Sequence, residues 1–454
     1  MEFTSLWFVT LFLPCSLLIY AVTPQKGKNL VLLLLSLLFY SQLEVFYLFF
    51  MLASVTIDYL LSRLMQHYDN DNNRRRMMLI LSMVKNIGIA LVAGTGYELN
   101  ANYVPVGMYV YLFSALGYLI DVYKGDEVYE KNYIRFALYC TMFPRIVAGP
   151  LFSYNHFRMQ LSNRKFNLDL VSRGFCLFVF GFAKQILLLP GLKSLTQQLM
   201  ALYPDNITVL SAWVGLFCVV LCYYYAFSSW CEMAQGLGTM FGFQYPSGFD
   251  YPLAAGSIYD FQTRFHGSVT AFVRKYVSVQ LSADPNGMAS AVFNLLISSV
   301  LVAMWYSTDL NGIGWGLFLG ILVVLEQCAL AKYLKVIPIF FRRIFTWLLL
   351  LYSFLLLINP GNGFVFSYLR SMAGIATPFK ETKELYLIGT NWLVFVASVV
   401  FSMPVLRPLH RVLSLPPINR RQEGAQLAAS TLLLRGISLV LAMALLGLSV
   451  LVLL

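Results

Sequence analysis

Long apolar runs alternate with short polar segments along almost the whole chain. Twelve of the runs predict membrane-spanning helices, although several are shorter than the roughly 20 residues that a perpendicular span needs. They lie near residues 5–22, 29–41, 45–61, 77–97, 103–123, 174–192, 207–229, 288–305, 312–331, 344–359, 386–405 and 431–454. The first run has no basic region before it and no small-residue cleavage site after it, so we expect a retained span rather than a signal peptide.

A further apolar run, residues 136–152, departs from this pattern because it contains Pro144, Arg145, Gly149 and Pro150. Proline removes a helical hydrogen bond, and a charge is costly at membrane depth, so a straight span is disfavoured. The composition predicts instead a broken, re-entrant segment that lines a polar cavity.

The composition of the chain indicates the same class of protein. Of the 454 residues, 59% are hydrophobic and only 12% are charged, whereas about a quarter are charged in soluble domains. The mean hydropathy is +0.70. No internal repeat or soluble domain is evident, so we expect an all-α polytopic membrane protein in which residues 1–454 form one integral-membrane domain.

The net charge of +11 is explained by membrane orientation rather than by nucleic-acid binding. If the N-terminus lies outside, the inner segments carry 24 Lys and Arg residues and the outer loops carry 4. Since basic residues accumulate on the cytoplasmic side, the bias predicts that both termini lie outside, and it removes the need for a nucleic-acid partner. The inner segments are 23–28, 62–76, 124–135, 153–173, 230–287, 332–343 and 406–430.

Residues 223–281 place seven charged or histidine side chains inside an otherwise apolar chain. Among them are three basic side chains and a histidine, at Arg264, Arg274, Lys275 and His266, a pattern typical of an amphipathic helix at the inner membrane surface. His266 is the only histidine embedded in the block. Because polar groups near membrane depth usually mark a site or a pathway, the block predicts that the protein acts on a polar substrate from within a membrane.

Two other polar clusters interrupt the apolar pattern. Arg145, within FPRIVAGPLFSY, suits an anionic headgroup or a carrier phosphate, and equally a structural ion pair with Glu232 or Asp121. MWYSTDLNG, residues 304–312, has the aromatic and polar composition of a helix end at the membrane interface.

The seven cysteines form no CxxC pair, so neither a zinc site nor a disulfide framework is indicated, and we expect no metal site. No GxSxG, P-loop or HExxH motif occurs.

Four segments carry a resemblance to a known family. They are PVGMYVYLFSALGYLIDVYKG, FPRIVAGPL, YYYAFSSWCEMAQGLGTMFGFQYPSGFDYPL and SIYDFQTRFHGSVTAFVRKYVSVQL. In order and spacing they resemble the membrane-bound O-acyltransferases, in the bacterial branch of alginate O-acetyltransferase and the teichoic-acid D-alanyl transfer protein. The match runs from about residue 30 to residue 330.

The resemblance implies a bundle of about 12 spans with re-entrant segments around a central polar funnel. It also implies transfer of an acyl group, of acetyl or D-alanyl type, from a cytoplasmic thioester to a hydroxyl of a cell-envelope polymer. The donor would be acyl-CoA or an acyl carrier, with no tightly bound cofactor. The implied setting is the bacterial cytoplasmic membrane, with membrane lipid, the polymer acceptor, and a periplasmic SGNH-type transferase or an acyl carrier protein as partners.

The resemblance also assigns site residues. His266 occupies the histidine of the family motif RRWH, whereas Tyr306 stands where the family has its catalytic histidine, in GLWHG. A phenol with a pKa near 10 is a poor general base, although it can donate a hydrogen bond to a carbonyl or hold an acceptor. We therefore expect His266 and Tyr306 to be catalytic. The residues expected to bind substrate are Arg145, Glu232, Arg264 and Trp305.

Some family positions are altered, and this leaves an alternative open. The family motif FDFSGYSD reads YAFSSWCE here, so that Ala226, Ser229 and Glu232 replace an aspartate, a glycine and an aspartate. A non-catalytic relative that acts as a scaffold or conduit in envelope-polymer modification or export would carry such changes. An ion-coupled transporter is less consistent with the sequence, because no paired broken helices occur at corresponding positions of two halves.

Overall fold

Helices make up the regular structure throughout the described part of the chain. The computed structural model describes residues 3–42, 45–94, 107–147, 149–278, 287–307, 309–334, 336–361, 363–375, 377–406 and 425–453, and no strand occurs in these ranges. The α-helices are α1 Leu13–Val22, α2 Lys28–Ser41, α3 Val45–His67, α4 Asn72–Gly94, α5 Met108–Lys124, α6 Tyr133–Thr141, α7 Phe143–Ile146, α8 Tyr154–Asn163, α9 Leu168–Ala183, α10 Leu189–Met200, α11 Val209–Met240, α12 Ile258–Arg264, α13 Gly267–Val273, α14 Met288–Met304, α15 Leu310–Val324, α16 Ala331–Leu334, α17 Ile339–Leu357, α18 Phe364–Met372, α19 Thr382–Thr390, α20 Trp392–Ser402 and α21 Ala425–Leu453.

Within the described ranges, six helices are long and apolar enough to cross a membrane. They are Val45–His67, Leu168–Met200, Val209–Met240, Leu310–Leu330, Ile339–Leu357 and Arg435–Leu453. The pair α19 and α20 is bent by 65° and gives up to one more span. The all-α, multi-pass architecture predicted from the sequence is confirmed. The number of twelve spans stays a prediction, because residues 95–97, 103–106 and 454 of the predicted spans lie outside the described residues.

The helices group into two compact units, each with its own core. The first unit comprises Met1–Phe182, Trp230–Ser247 and Val412–Leu454. Its core is rich in aromatic side chains, with Phe12 and Phe143 edge to face at 5.5 Å between ring centroids. Aromatic pairs in this geometry add about 0.5–1.5 kcal/mol beyond area burial. Further members of this cluster are Phe3, Phe8, Phe39, Phe178 and Phe241.

The second unit comprises Ala183–Ser229 and Gly248–Arg411. Its core is formed mainly by α10, α11, α15 and α17, with the apolar side of α12 packed into it. Trp315 on α15 lies 5.4 Å from the ring of Phe354 on α17, and its indole nitrogen donates to the Ser353 hydroxyl at 3.2 Å. This core carries the two short helices α12 and α13 and the end of α14.

The run 136–152 is broken, as its prolines predict. Helix α6 ends at Thr141. Helix α7 begins at Phe143, has Pro144 as its second residue and ends at Ile146. Gly149 then lies directly against the backbone of Arg145, because a Cβ atom at this glycine would come within 2.5 Å of the Arg145 Cα. A larger residue therefore does not fit at the bend.

Two boundaries differ from the sequence predictions. The predicted span 207–229 continues as α11 to Met240, because the polar side chains after Ser229 are isolated among helix-forming residues and do not stop the helix. The predicted single amphipathic helix is divided into two short helices, and its location at the inner surface stays a prediction. The segment forms α12 and α13, which are separated at Phe265 and His266, and both helices bury most of their apolar side chains in the protein.

Candidate active site

His266 lies in the turn between α12 and α13 with a backbone conformation that is rare for a residue with a side chain. Its φ of 57° and ψ of 46° are left-handed, which costs about 1–2 kcal/mol for a residue other than glycine. Two backbone hydrogen bonds fix the turn: Asp250 N donates to Arg264 O at 3.1 Å, and Gly267 N donates to Gly248 O at 2.7 Å. Strain of this kind clusters at functional sites.

A hydrogen bond joins His266 to Tyr306. Tyr306 follows α14, and its backbone N donates to Ala303 O at 2.9 Å, which continues the helical turn past the end of the helix. The Tyr306 hydroxyl lies 3.0 Å from Nδ1 of His266. The structure therefore brings together the two residues that the sequence predicts to be catalytic.

Aromatic rings enclose this pair. Phe249 stacks on the His266 ring at 5.2 Å between centroids, and Trp305 lies edge-on to it at 5.8 Å. Phe227 packs against the Tyr306 ring at 4.6 Å. Only 2% of His266 is exposed. Because burial disfavours the charged imidazolium, it lowers the pKa of His266 from 6.5 to about 3, and the neutral ring is the resting form at physiological pH.

Arg264, the last residue of α12, forms an ion pair with Asp260 one helical turn earlier. Its Nε lies 2.6 Å from Oδ1 of Asp260, and both side chains are partly exposed. Asp260 is itself fixed, since its backbone N donates to the Ser257 hydroxyl at 3.0 Å and its Oδ2 accepts from Gly256 N at 3.2 Å. Arg264 is thus held beside the His266 turn by a carboxylate that also stabilises the beginning of α12.

The buried carboxylate of Glu326 stabilises the same end of α12. Its Oε2 accepts a hydrogen bond from Tyr259 N at 2.8 Å. An anion suits this position, because the first N–H groups of a helix lack intrahelical acceptors and carry partial positive charge. Glu326 is not among the site residues predicted from the sequence. The signal for it is present, since it is an acidic residue inside the predicted span 312–331.

A network of polar side chains connects α12 with its neighbours. Gln262 Nε2 donates to the Ser299 hydroxyl on α14 at 3.0 Å, and Ser299 donates in turn to Leu295 O at 2.8 Å. On α13, the Thr270 hydroxyl donates to Gln262 O at 3.2 Å. These contacts fix the spacing between the His266 turn and the helix that carries Tyr306. Nothing in the sequence alone distinguishes these residues from ordinary helix-facing polar groups.

Arg145 and Glu232 belong to the first unit, whereas His266, Tyr306, Trp305 and Arg264 belong to the second. The Arg145 guanidinium is 1% exposed, donates to Tyr139 O and lies over the Tyr139 ring at 4.6 Å. Its Nη1 has no hydrogen-bond partner in the described part of the chain. Glu232, partly buried on α11, forms no ion pair with Arg145 there, and neither does Asp121.

The His266–Tyr306 pair suits acid–base chemistry. In the tautomer with the proton on Nδ1, His266 donates to the Tyr306 oxygen and Nε2 is the basic nitrogen. In this tautomer Tyr306 donates its phenolic proton to a group other than Nδ1 of His266. Over the ranges described above, no group of three or more His, Cys, Asp or Glu side chains is arranged to hold a metal ion.

The sequence is similar to several curated bacterial proteins. It is 30% identical over 330 residues to a probable alginate O-acetylase of Pseudomonas fluorescens, which covers 72% of this chain and 66% of that protein. It is 24% identical over 399 residues to a peptidoglycan O-acetyltransferase of Helicobacter pylori, covering 76% of this chain and 74% of the relative. It is 22% identical over 247 residues to a teichoic acid D-alanyltransferase of Streptococcus thermophilus, covering 50% and 58% of the two chains.

The chain thus spans just under two thirds of the length of the alginate O-acetylase that it matches. The family model for membrane-bound O-acyltransferases matches residues 33–358, which include all six residues predicted for the site. Both the match to the family model and the helical, multi-pass architecture agree with the resemblance seen in the motifs. The chain belongs to the membrane-bound O-acyltransferase family.

Proposed function

We propose that this protein is an O-acyltransferase of the bacterial cytoplasmic membrane, which moves an acetyl or D-alanyl group from a cytoplasmic thioester to a hydroxyl of a cell-envelope polymer. The observation that carries the proposal is the buried hydrogen bond between His266 and Tyr306 at 3.0 Å, in a chain of the acyltransferase family. Relatives named for acetyl and D-alanyl transfer to envelope polymers support the substrate class.

In the proposed reaction, His266 carries the proton that the acceptor releases. The acceptor hydroxyl oxygen attacks the thioester carbonyl carbon, so that a C–O bond forms and the C–S bond breaks. The hydroxyl proton passes to Nε2 of His266 and then to the departing thiolate sulfur. Because burial disfavours the imidazolium, we expect proton transfer to be concerted with attack rather than to precede it.

Tyr306 has two roles in this proposal. Its oxygen accepts the hydrogen bond from Nδ1–H of His266, which selects the tautomer with a basic Nε2 and stabilises positive charge on the ring. Its own proton is directed to the thioester carbonyl oxygen, where negative charge develops during attack. The tyrosine thus supplies orientation and a hydrogen bond, both of which a phenol provides without losing its proton.

The remaining predicted residues are assigned to substrate binding. Trp305 lies edge-on to His266 and offers an apolar wall for the acyl group. Arg264 supplies positive charge for an anionic donor, acyl-CoA or an acyl carrier. Arg145 and Glu232, which belong to the other unit, are assigned to substrate binding on the family resemblance alone. Membrane lipid, the envelope polymer, and a periplasmic SGNH-type transferase or an acyl carrier protein are the proposed partners.

The test is the acyl content of envelope polymers, measured by mass spectrometry in cells that carry wild-type protein or variants. His266→Gln and deletion of the whole gene are both expected to abolish the ester-linked acyl group. His67→Gln, the same change at an exposed position on α3, is the matched control and is expected to retain it. Unchanged acylation in His266→Gln would favour the non-catalytic scaffold or conduit instead.

A further inference from the structure

Two buried cations in the first unit play no part in the proposed reaction. Lys28 is the first residue of α2, and Arg164 follows the last residue of α8. Only 8% of Lys28 and 7% of Arg164 is exposed. The sequence assigns the segments that contain them, 23–28 and 153–173, to the cytoplasmic side.

The two side chains lie against the same aromatic ring. Lys28 Nζ is 4.9 Å from the centroid of Tyr20 and 5.0 Å from that of Phe166. The Arg164 guanidinium is 5.6 Å from the Tyr20 centroid and 4.7 Å from that of Phe243, and its Nε donates to the Tyr20 hydroxyl at 2.6 Å. The two positive charges are close enough to repel each other.

The described residues supply no anion to this pair. In the described chain, neither Lys28 nor Arg164 forms an ion pair, Lys28 Nζ donates no hydrogen bond, and Arg164 Nη1 is buried without a partner. Contacts with aromatic faces are worth about 0.5–2 kcal/mol each. Removing each ion from water costs several kcal/mol. Aromatic contacts alone therefore do not offset the burial of two adjacent like charges.

We propose that Lys28 and Arg164 form a phosphate-binding site on the cytoplasmic side of the protein. The arginine offers unused N–H donors in a planar fork and the lysine a point charge, which is the combination that phosphate oxygens accept. The exposed lysines Lys26 and Lys165 beside them extend the positive surface. The phosphate belongs either to an acidic phospholipid headgroup, which basic pockets at this membrane surface attract, or to a soluble phosphorylated molecule. The site involves no residue of the His266 turn, so its test is independent of acyl transfer.

The experiment measures ligand-induced thermal stabilisation of the purified full-length chain in a neutral detergent. The probes are dioctanoyl phosphatidylglycerol, the zwitterionic phosphatidylcholine with the same chains, and adenosine 3′,5′-bisphosphate as a soluble phosphate. Phosphatidylglycerol is expected to raise the Tm saturably and phosphatidylcholine to raise it less. In Lys28→Gln and in Arg164→Gln the half-saturating concentration is expected to rise about fivefold or more, since each removes one charge from the site.

Lys165→Gln is the matched control, because it removes an exposed charge next to Arg164. It is expected to leave the half-saturating concentration of phosphatidylglycerol nearly unchanged. If the bisphosphate raises the Tm and this rise depends on Lys28 and Arg164, the result supports the site and assigns it to a soluble ligand. Stabilisation by any probe that is equal in wild type and both Gln variants overturns the proposal, as does the absence of stabilisation. If Arg164→Gln does not fold, Lys28→Gln and the charge-conserving Arg164→Lys carry the comparison.

Discussion

The hydroxyl of Tyr306 lies 3.0 Å from Nδ1 of His266, although the two residues are 40 positions apart in the chain. The tyrosine stands where the family resemblance places a second histidine. In the proposed site, Tyr306 takes the place of that base and shares a proton with His266. The loss of one imidazole need not remove acid–base chemistry, because the other is held in a defined orientation by the substituted residue.

Removal of the Tyr306 hydroxyl is expected to impair the chemical step. In Tyr306→Phe the aromatic packing is retained, but His266 loses its Nδ1 partner and the proposed carbonyl donor is absent. We expect kcat to fall about a hundredfold, as on removal of one hydrogen-bond donor to a developing oxyanion, with a smaller change in KM. Acyl transfer by purified protein to a soluble acceptor measures both constants.

Tyr333→Phe, which removes a hydroxyl from an exposed tyrosine on α16, is the control for this substitution. It is expected to match wild type. If Tyr306→Phe is as active as the control, the hydrogen bond to His266 has no catalytic role and the assignment of Tyr306 fails.

Burial of His266 predicts an unusual pH dependence. Its folded pKa of about 3 lies below the ordinary 6.5, so the neutral base is present at all pH values above about 4. We expect kcat/KM to show no acidic limb near pH 6.5 when it is measured from about pH 5 to pH 8. An inflection of kcat/KM near pH 6.5 in the wild type that persists in the control His67→Gln would contradict the buried, neutral state of His266.

The lowered pKa of His266 also predicts how the stability of the fold changes with pH. Between about pH 6.5 and pH 3, the unfolded chain binds a proton at His266 and the folded chain does not, so acidification favours unfolding. Thermal unfolding of the wild type is therefore expected to lose more stability between about pH 7 and pH 5 than that of His266→Gln. Equal losses in the two proteins would contradict this expectation.

The sequence was sufficient for the helical class, the family and the break near Pro144, because these depend on local composition and on motif spacing. It did not predict the left-handed turn at His266, since that turn depends on hydrogen bonds to Gly248 and Asp250. Glu326 was missed for a similar reason: an acidic residue in an apolar run signals a buried role, but its partner, Tyr259 N, is known only from the fold.

Glu326 is expected to act through the position of α12. Glu326→Ala removes the charged acceptor of the partly buried Tyr259 N–H, and a hydrogen bond to a charged group contributes about 1.5–3 kcal/mol. Glu326→Gln retains an acceptor oxygen. We therefore expect the Tm in detergent to fall clearly for Glu326→Ala and less for Glu326→Gln, with kcat following the same order. Cys328→Ala, an exposed change in the same helical segment, is the control. Equal Tm values for Glu326→Ala and this control would show that the contact does not stabilise α12.

Substitutions in the ion pair between Arg264 and Asp260 distinguish two roles for the arginine. If Arg264 binds the anionic donor, Arg264→Gln removes the binding charge. Asp260→Asn removes the carboxylate charge but keeps a side-chain oxygen as acceptor for Gly256 N, and the Arg264 guanidinium is still present. We expect Arg264→Gln to raise the KM for the donor about tenfold, since a hydrogen bond to a charged group contributes about 1.5–3 kcal/mol. Asp260→Asn is expected to change KM much less, because a partly exposed ion pair is worth about 0–1 kcal/mol. Steady-state kinetics with varied donor give the two constants. If both variants lower kcat alike and leave KM unchanged, Arg264 positions the His266 turn and does not bind the donor.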